Sequence, residues 1–138
     1  LDCFFYGVLT DRDVLAAVIG RRVAACRIRA ASLDGFRRVY VQGASYPMLV
    51  AAAGRRVDGV LVGGLSASDI ERLSAFEGGG YAMAEAWVAV APRRRLRARV
   101  FMPRAAVKPS AREWTPEDWR RRHRAARLQM VRSGRGRV

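Results

Sequence analysis

A chain of 138 residues can bury about two thirds of its unfolded surface in one core, so neither a metal nor a disulfide is needed for folding. The formal charge of +14 is unevenly placed: residues 1–92 hold ten arginines against nine acids, whereas residues 93–138 hold fifteen arginines and Lys108 against Glu113, Glu117 and Asp118. A basic balance of this kind bears on non-specific attraction and not on fold, and with no aromatic residues interleaved through the basic tail it reads as a solvated surface, not a nucleic-acid site.

In chain order, the first predicted element is an apolar run over residues 2–9, read as a buried strand. Thr10 is placed to cap a helix with Asp13 at its third position, and Val14, Leu15, Val18 and Ile19 give it one apolar face before Gly20 stops it. Alternation over 23–30 and 36–42 around Asp34-Gly35 predicts a hairpin. Residues 45–49 read as a loop and a short extended piece, since Pro47 disfavours an interior strand position. Residues 58–65 read as a central strand whose glycines permit close approach of another backbone.

Ser66 and Asp69 form a capping-box pattern that opens a second helix, with Ile70, Leu73 and Phe76 on one face and Gly78 as its stop. Two further strands, 81–91 and 96–102, flank a turn at 92–95, with Leu96, Ala98, Val100 and Met102 opposite Arg97, Arg99 and Phe101. Thr115, Pro116 and Asp118 open a last helix over about 115–132, whose inward stripe is expected to be Trp119, His123, Ala126 and Met130. One domain over 1–132 is expected, followed by a disordered basic tail over 133–138.

Asp2 stands where a secretory signal needs a basic region, and Thr10, Asp11 and Arg12 cut the apolar run short. The longest uncharged run, 39–54, contains Gln42, Gly43, Ser45 and Pro47 and fails as a membrane span. Cys3 and Cys26 lack CxxC spacing and a nearby histidine pair, and read as small buried hydrophobes in a reducing, cytoplasmic protein.

The chain has no GxSxG elbow, Walker lysine or HExxH, and its single histidine, His123, falls on the inward stripe of a helix. What remains for chemistry is Glu77, at a helix end before Gly78-Gly79-Gly80. Dipole and desolvation there are expected to raise a carboxylate's pKa and suit it to proton transfer. The loop Tyr6-Gly7-Val8-Leu9 offers backbone N–H groups to an anion or developing oxyanion, with Gly7 leaving room for approach. Singly, each feature has a plain structural explanation; Tyr81 is equally explained as a strand residue.

Together and in order, these elements resemble the gamma-glutamylcyclotransferase superfamily in its AIG2-like branch. The resemblance is carried by Phe5-Tyr6-Gly7-Val8-Leu9, Asp13-Val14-Leu15, Gly35-Phe36-Arg37-Arg38, Tyr46-Pro47 with Leu49-Val50, Val57-Asp58-Gly59-Val60-Leu61, and Leu73-Ser74-Ala75-Phe76-Glu77-Gly78 leading to Tyr81. It covers residues 3–103, and the helix of Trp114 and Trp119 is similar to the C-terminal extension of bacterial members. Val8 departs from the Thr or Ser of many members, and Ser74 from their Asp.

The resemblance implies a mixed α+β fold built on a small barrel-like sheet flanked by helices. It implies an acyl-transferring, lyase-type enzyme that cyclises a γ-glutamyl group to 5-oxoproline, with Glu77 as general acid/base and Tyr6, Gly7, Val8, Leu9 and Tyr81 binding substrate. No cofactor and no metal are implied. Tyr40, Tyr46 and Arg38 are candidates for the rim that meets the leaving amine.

The partner expected is a small γ-glutamyl molecule; neither a membrane nor nucleic acid is expected, and the protein is expected as a monomer or as a homodimer packing through exposed Trp114 or Trp119. Two alternatives stand beside this reading. One is a non-catalytic module of the same fold that binds a metabolite or a protein. The other is nucleic-acid binding through the helix bearing Arg120, Arg121, Arg122, Arg124 and Arg127, which should be salt-sensitive and vanish on truncation after Met102.

Overall fold

A computed structural model describes residues 1–134. Six strands and four helices follow in the order β1 (Cys3–Phe5), α1 (Arg12–Ile19), β2 (Ile28–Val41), β3 (Pro47–Val62), α2 (Ala67–Glu77), β4 (Tyr81–Ala91), β5 (Arg94–Pro103), β6 (Pro109–Glu113), α3 (Pro116–Arg122) and α4 (Arg124–Arg132). Short 3₁₀ turns precede α1 and β2. The sheet runs β3-β1-β5-β4-β2, and pairing of β2 with β3 closes these five strands into a barrel, with β6 added along the end of β2. Closure removes the free edges an open sheet would expose. β1 pairs antiparallel with β3 and parallel with β5, which makes the barrel mixed.

β1 shows why its sequence is apolar without interruption. Phe4 and Tyr6 point into a cluster with Leu33, Leu49, Leu61, Val88, Ala98 and Val100 contributed by the other barrel strands. Cys3 and Phe5 point the opposite way, into a cluster shared with α1, α2, Trp114, Trp119 and Leu128. A strand buried on both faces has no polar side to alternate with. Phe101 of β5 joins the helix-side cluster while Ala98 and Val100 face inward, as alternation predicts.

The Asp34-Gly35 turn does not exist. β2 runs continuously through it, and the register against β3 slips between Asp34 and Phe36, where Ala51 to Arg56 of β3 leaves residues unpaired. Gly35 (φ 86°) and Gly54 (φ 78°) supply the left-handed backbone on the two sides of this bulge. The glycine thus marks a bend of the strand and not a reversal. The hairpin turn lies at residues 42–46, and Pro47 opens the long β3 opposite Tyr40, a first-residue position that tolerates its missing N–H.

Asp11, not Thr10, caps α1, accepting from the N–H groups of Asp13 and Val14. Thr10 is occupied in the preceding 3₁₀ turn, where its hydroxyl donates to the Gly7 carbonyl at 2.6 Å. The expected capping box of Ser66 and Asp69 is present on α2. The last helix breaks at His123, and the turn of α4 onto α1 puts Arg127 and Leu128 inward and Ala126 outward. Trp114 and Trp119 are only 2% exposed, so neither is available to a second subunit. Cys3 is buried but Cys26 is exposed on the 3₁₀ turn before β2. Of the expected tail, Ser133 and Gly134 close α4 through backbone bonds, and residues 135–138 lie outside the described residues. No helix among the described residues is long and apolar enough to cross a membrane.

Candidate active site

A cleft opens where β1 leaves the barrel. Residues 4–9 form one wall, Tyr46 and Pro47 a second, and Glu77 with Phe101 complete it around a narrow space of about 20 Å³. The Tyr6-Gly7-Val8-Leu9 loop and Glu77, far apart in sequence, therefore meet at one place.

The loop is shaped by a short 3₁₀ turn over Val8–Thr10. The N–H of Thr10 donates to the Gly7 carbonyl (3.0 Å) and that of Asp11 to the Val8 carbonyl (3.2 Å). Val8 and Leu9 are buried in the helix-side cluster and also line the cleft. A Cβ on Gly7 would stand 2.8 Å from Cγ of Pro47, closer than carbon atoms tolerate. Glycine at this position lets the start of β3 close against the loop.

Tyr6 is fixed at both ends. Its hydroxyl donates to the Phe101 carbonyl (2.7 Å), and its own carbonyl accepts from Nη1 of Arg38 (2.6 Å). Arg38 also reaches the Asp58 carbonyl (3.0 Å) and lies over the Trp114 ring, 5.1 Å from its centre. Burial depresses the pKa of Arg38, but a guanidinium stays charged at neutral pH. Arg38 thus holds the loop from behind, away from the rim where sequence placed it. Tyr40 is likewise withdrawn, its hydroxyl bonded to Asp118 of α3. Of the three rim candidates only Tyr46 lines the cleft.

Glu77 is the last residue of α2 and is half-buried. The helix ends there because the chain turns away at Gly78 (φ 77°), whose N–H makes the last helical bond, to the Ser74 carbonyl (3.0 Å). Beyond Glu77 lies a second, larger cleft of about 350 Å³. It is lined by Val41 and Gln42, by Gly78, Gly79, Gly80 and Tyr81, and by Ala106, Val107 and Lys108. Glu77 and Tyr46 belong to both clefts. Tyr81 belongs to the outer one, and its hydroxyl donates to the Pro47 carbonyl (2.8 Å), which pins the wall between them.

Glu77 is the one carboxylate lining either cleft among the described residues, and Lys108 the one cation. A carboxylate on the boundary of two clefts can take a proton from a group in one and deliver it to a group in the other. No group of three or more His, Cys, Asp or Glu placed to hold a metal occurs among the described residues. Sequence reasoning missed Phe4, Phe5, Pro47 and Phe101 as cleft residues and, although it named Glu77, Tyr46 and Tyr81, it did not separate the outer cleft from the inner one. The alternation of β5 had set Phe101 apart from Leu96, Ala98 and Val100, whereas nothing local marks the 104–108 loop as a neighbour of Gly80.

The family model described as gamma-glutamyl cyclotransferase, AIG2-like, matches residues 3–121. AIG2-like protein A of Arabidopsis thaliana is 28% identical over 123 residues, covering 88% of this chain and 73% of that protein. A solution structure of another Arabidopsis thaliana protein is 26% identical, with a TM-score of 0.69 over 94% of this chain and 86% of the other. A solved gamma-glutamyl cyclotransferase, 16% identical, shares the fold at a TM-score of 0.55 over 80% of this chain and 72% of its own.

Proposed function

Because this chain belongs to the gamma-glutamyl cyclotransferase, AIG2-like family, we propose that it converts a small γ-glutamyl amine or amino acid to 5-oxoproline with release of the amine. The observation that carries this reading is Glu77 on the boundary of two adjoining clefts, with the 6–9 loop across the inner one. The γ-glutamyl head enters the inner cleft, against Tyr6, Gly7, Val8 and Leu9, and the narrow space there has to widen to admit it. The departing amine leaves through the outer cleft, past Tyr81.

The nucleophile and the electrophile belong to one molecule, so the protein has to fold the substrate, move protons and stabilise an oxyanion. Glu77 takes a proton from the α-ammonium, and the freed amine attacks the γ-carbonyl carbon. The oxyanion that forms is met by backbone N–H groups of the loop. Collapse breaks the bond from the γ-carbon to the departing nitrogen. Of the three protons on the α-ammonium one stays on the lactam nitrogen, and the other two, relayed by Glu77, leave on the departing nitrogen as an ammonium.

Glu77→Gln keeps the shape and removes the base. It is expected to lower 5-oxoproline formation by about 10² or more with an unchanged melting curve. Full turnover by this variant on a confirmed substrate would remove Glu77 from the role. Silence of the wild type across a panel of γ-glutamyl amines and γ-glutamyl amino acids would favour a non-catalytic binding module.

The arginines that suggested a nucleic-acid surface are largely engaged within the fold. Arg124 pairs with Asp11 and Asp13, Arg121 and Arg122 pair with Asp118, and Arg127 is buried.

A further inference from the structure

The outer cleft has a chemistry of its own. Its walls are apolar at Val41, Ala106 and Val107, and its floor is the Gly78-Gly79-Gly80 run. At its rim stands Lys108, the single lysine in a chain with twenty-five arginines. Lys108 donates one hydrogen bond, to the Ala105 carbonyl at 3.2 Å, and has no carboxylate partner among the described residues. An ammonium has three donors, so two remain for a ligand.

The loop carrying this cation is anchored on both sides of the cleft. The Arg104 N–H donates to the Gly80 carbonyl (2.8 Å), the Val107 N–H to the Arg104 carbonyl (3.0 Å), and the Gln42 N–H to the Lys108 carbonyl (2.9 Å). A Cβ on Gly80 would meet Cγ2 of Val107 at 3.0 Å, so the glycine lets the loop close down on the floor. An exposed cation on an anchored loop beside an apolar slot fits a short side chain that ends in an anion.

We propose that Lys108 is the specificity-determining residue of the outer cleft: it holds a carboxylate on the departing amine, so that γ-glutamyl α-amino acids are turned over in preference to neutral or cationic γ-glutamyl amines. This rests on the cyclotransferase reading given above. A cationic leaving group such as a diamine brings like charge against Lys108, with no acid but Glu77 lining the cleft to receive it.

The test uses three substrates alike in their γ-glutamyl half: γ-glutamyl-alanine, γ-glutamyl-alaninamide and γ-glutamyl-1,4-diaminobutane. Release of 5-oxoproline is followed for wild type, Lys108→Met and Lys108→Arg. A charge-assisted hydrogen bond predicts a kcat/KM for the acid at least about tenfold above that for its amide, mainly through KM and shrinking with added salt, with the diamine lowest. Lys108→Met should collapse the acid-to-amide ratio to about one, and Lys108→Arg should retain most of it. Equal rates on acid and amide in the wild type would overturn the assignment, as would a Lys108→Met variant that loses both rates with the ratio intact. In either case the cyclotransferase reading survives. Release of 5-oxoproline from none of the three overturns that reading, and this one with it.

Discussion

Cys3 and Cys26 are the same residue type in two different physical states. Burial pushes the Cys3 thiol up to about 11, whereas Cys26 sits exposed on a turn. Since the thiolate is the reactive form, an alkylating reagent at neutral pH should label one thiol per native chain and both after denaturation. Mass mapping should place the native label on Cys26. Native labelling of Cys3 at a comparable rate would mean that β1 opens readily from the barrel. Gly7 is a second residue whose surroundings decide its role. With Pro47 2.8 Å from the position of a Cβ, Gly7→Val has to push the loop from the start of β3. The expected result is a KM raised by about tenfold or more with a smaller change in kcat, read from initial rates on a confirmed substrate. Equal binding by this variant would show that the loop wall is not where the substrate head rests.

Between residue and molecule, the elements are joined at a few points that pH and mutation can reach. Gly59 of β3 lies where a Cβ would stand 2.2 Å from the Phe5 carbonyl oxygen, so Gly59→Ala has to separate β1 from β3. Overpacking against backbone is expected to cost about 2–4 kcal/mol, measured by denaturant melts. The join between β2 and α3 is the hydrogen bond from Tyr40 to Asp118. That bond, more than the neighbouring Arg112, Arg122 and Arg121, holds Asp118 below its usual value. Burial followed by the same bond raises Tyr40 to about 12. Asp118 therefore contributes stability at neutral pH that is lost as pH falls through its lowered folded pKa. Tyr40 contributes stability that is complete below its ordinary value of 10.0 and lost as pH rises toward about 12. Tyr40→Phe should flatten both the acid and the alkaline limbs of a plot of Tm against pH. An unchanged profile would mean that the bond is not made in solution. Signals confined to a few neighbouring residues were legible in sequence: the Ser66–Asp69 capping box, the Thr115 cap, the apolar faces of α1 and α2, the β4–β5 alternation and the Glu77 helix end. What was not legible needed a partner strand to define it. The Gly35 bulge and the Asp34-Gly35 turn share one local signature, and the pairing with β3 alone separates them. Sequence brought Glu77 and the Tyr6 loop into one pocket through family resemblance, and the outer cleft escaped because its walls come from four separate segments.

Across the whole molecule the C-terminal segment decides whether the barrel is a domain by itself. Trp114, Trp119 and Leu128 belong to the same buried cluster as Val14, Leu15 and Ile19 of α1, and Arg124 bridges from α4 to Asp11 and Asp13 at the start of α1. The cleft loop runs directly into that helix, so residues after Glu113 support the site from beneath. Losing one buried Trp typically costs about 3–5 kcal/mol, and a domain of this size is stable by about 5–15 kcal/mol in total. Truncation after Glu113 removes both buried tryptophans and Leu128, so the shortened chain is expected to lack a cooperative thermal transition and to expose apolar surface to a hydrophobic dye. For the same reason, loss of nucleic-acid binding on truncation after Met102 would report unfolding, and charge reversal at the exposed Arg120 and Arg121 is the change that separates the two effects. A truncated chain that melts cooperatively within a few degrees of the intact one would show that the barrel with α1 and α2 folds alone, and that the C-terminal helices stabilise neither the core nor the cleft.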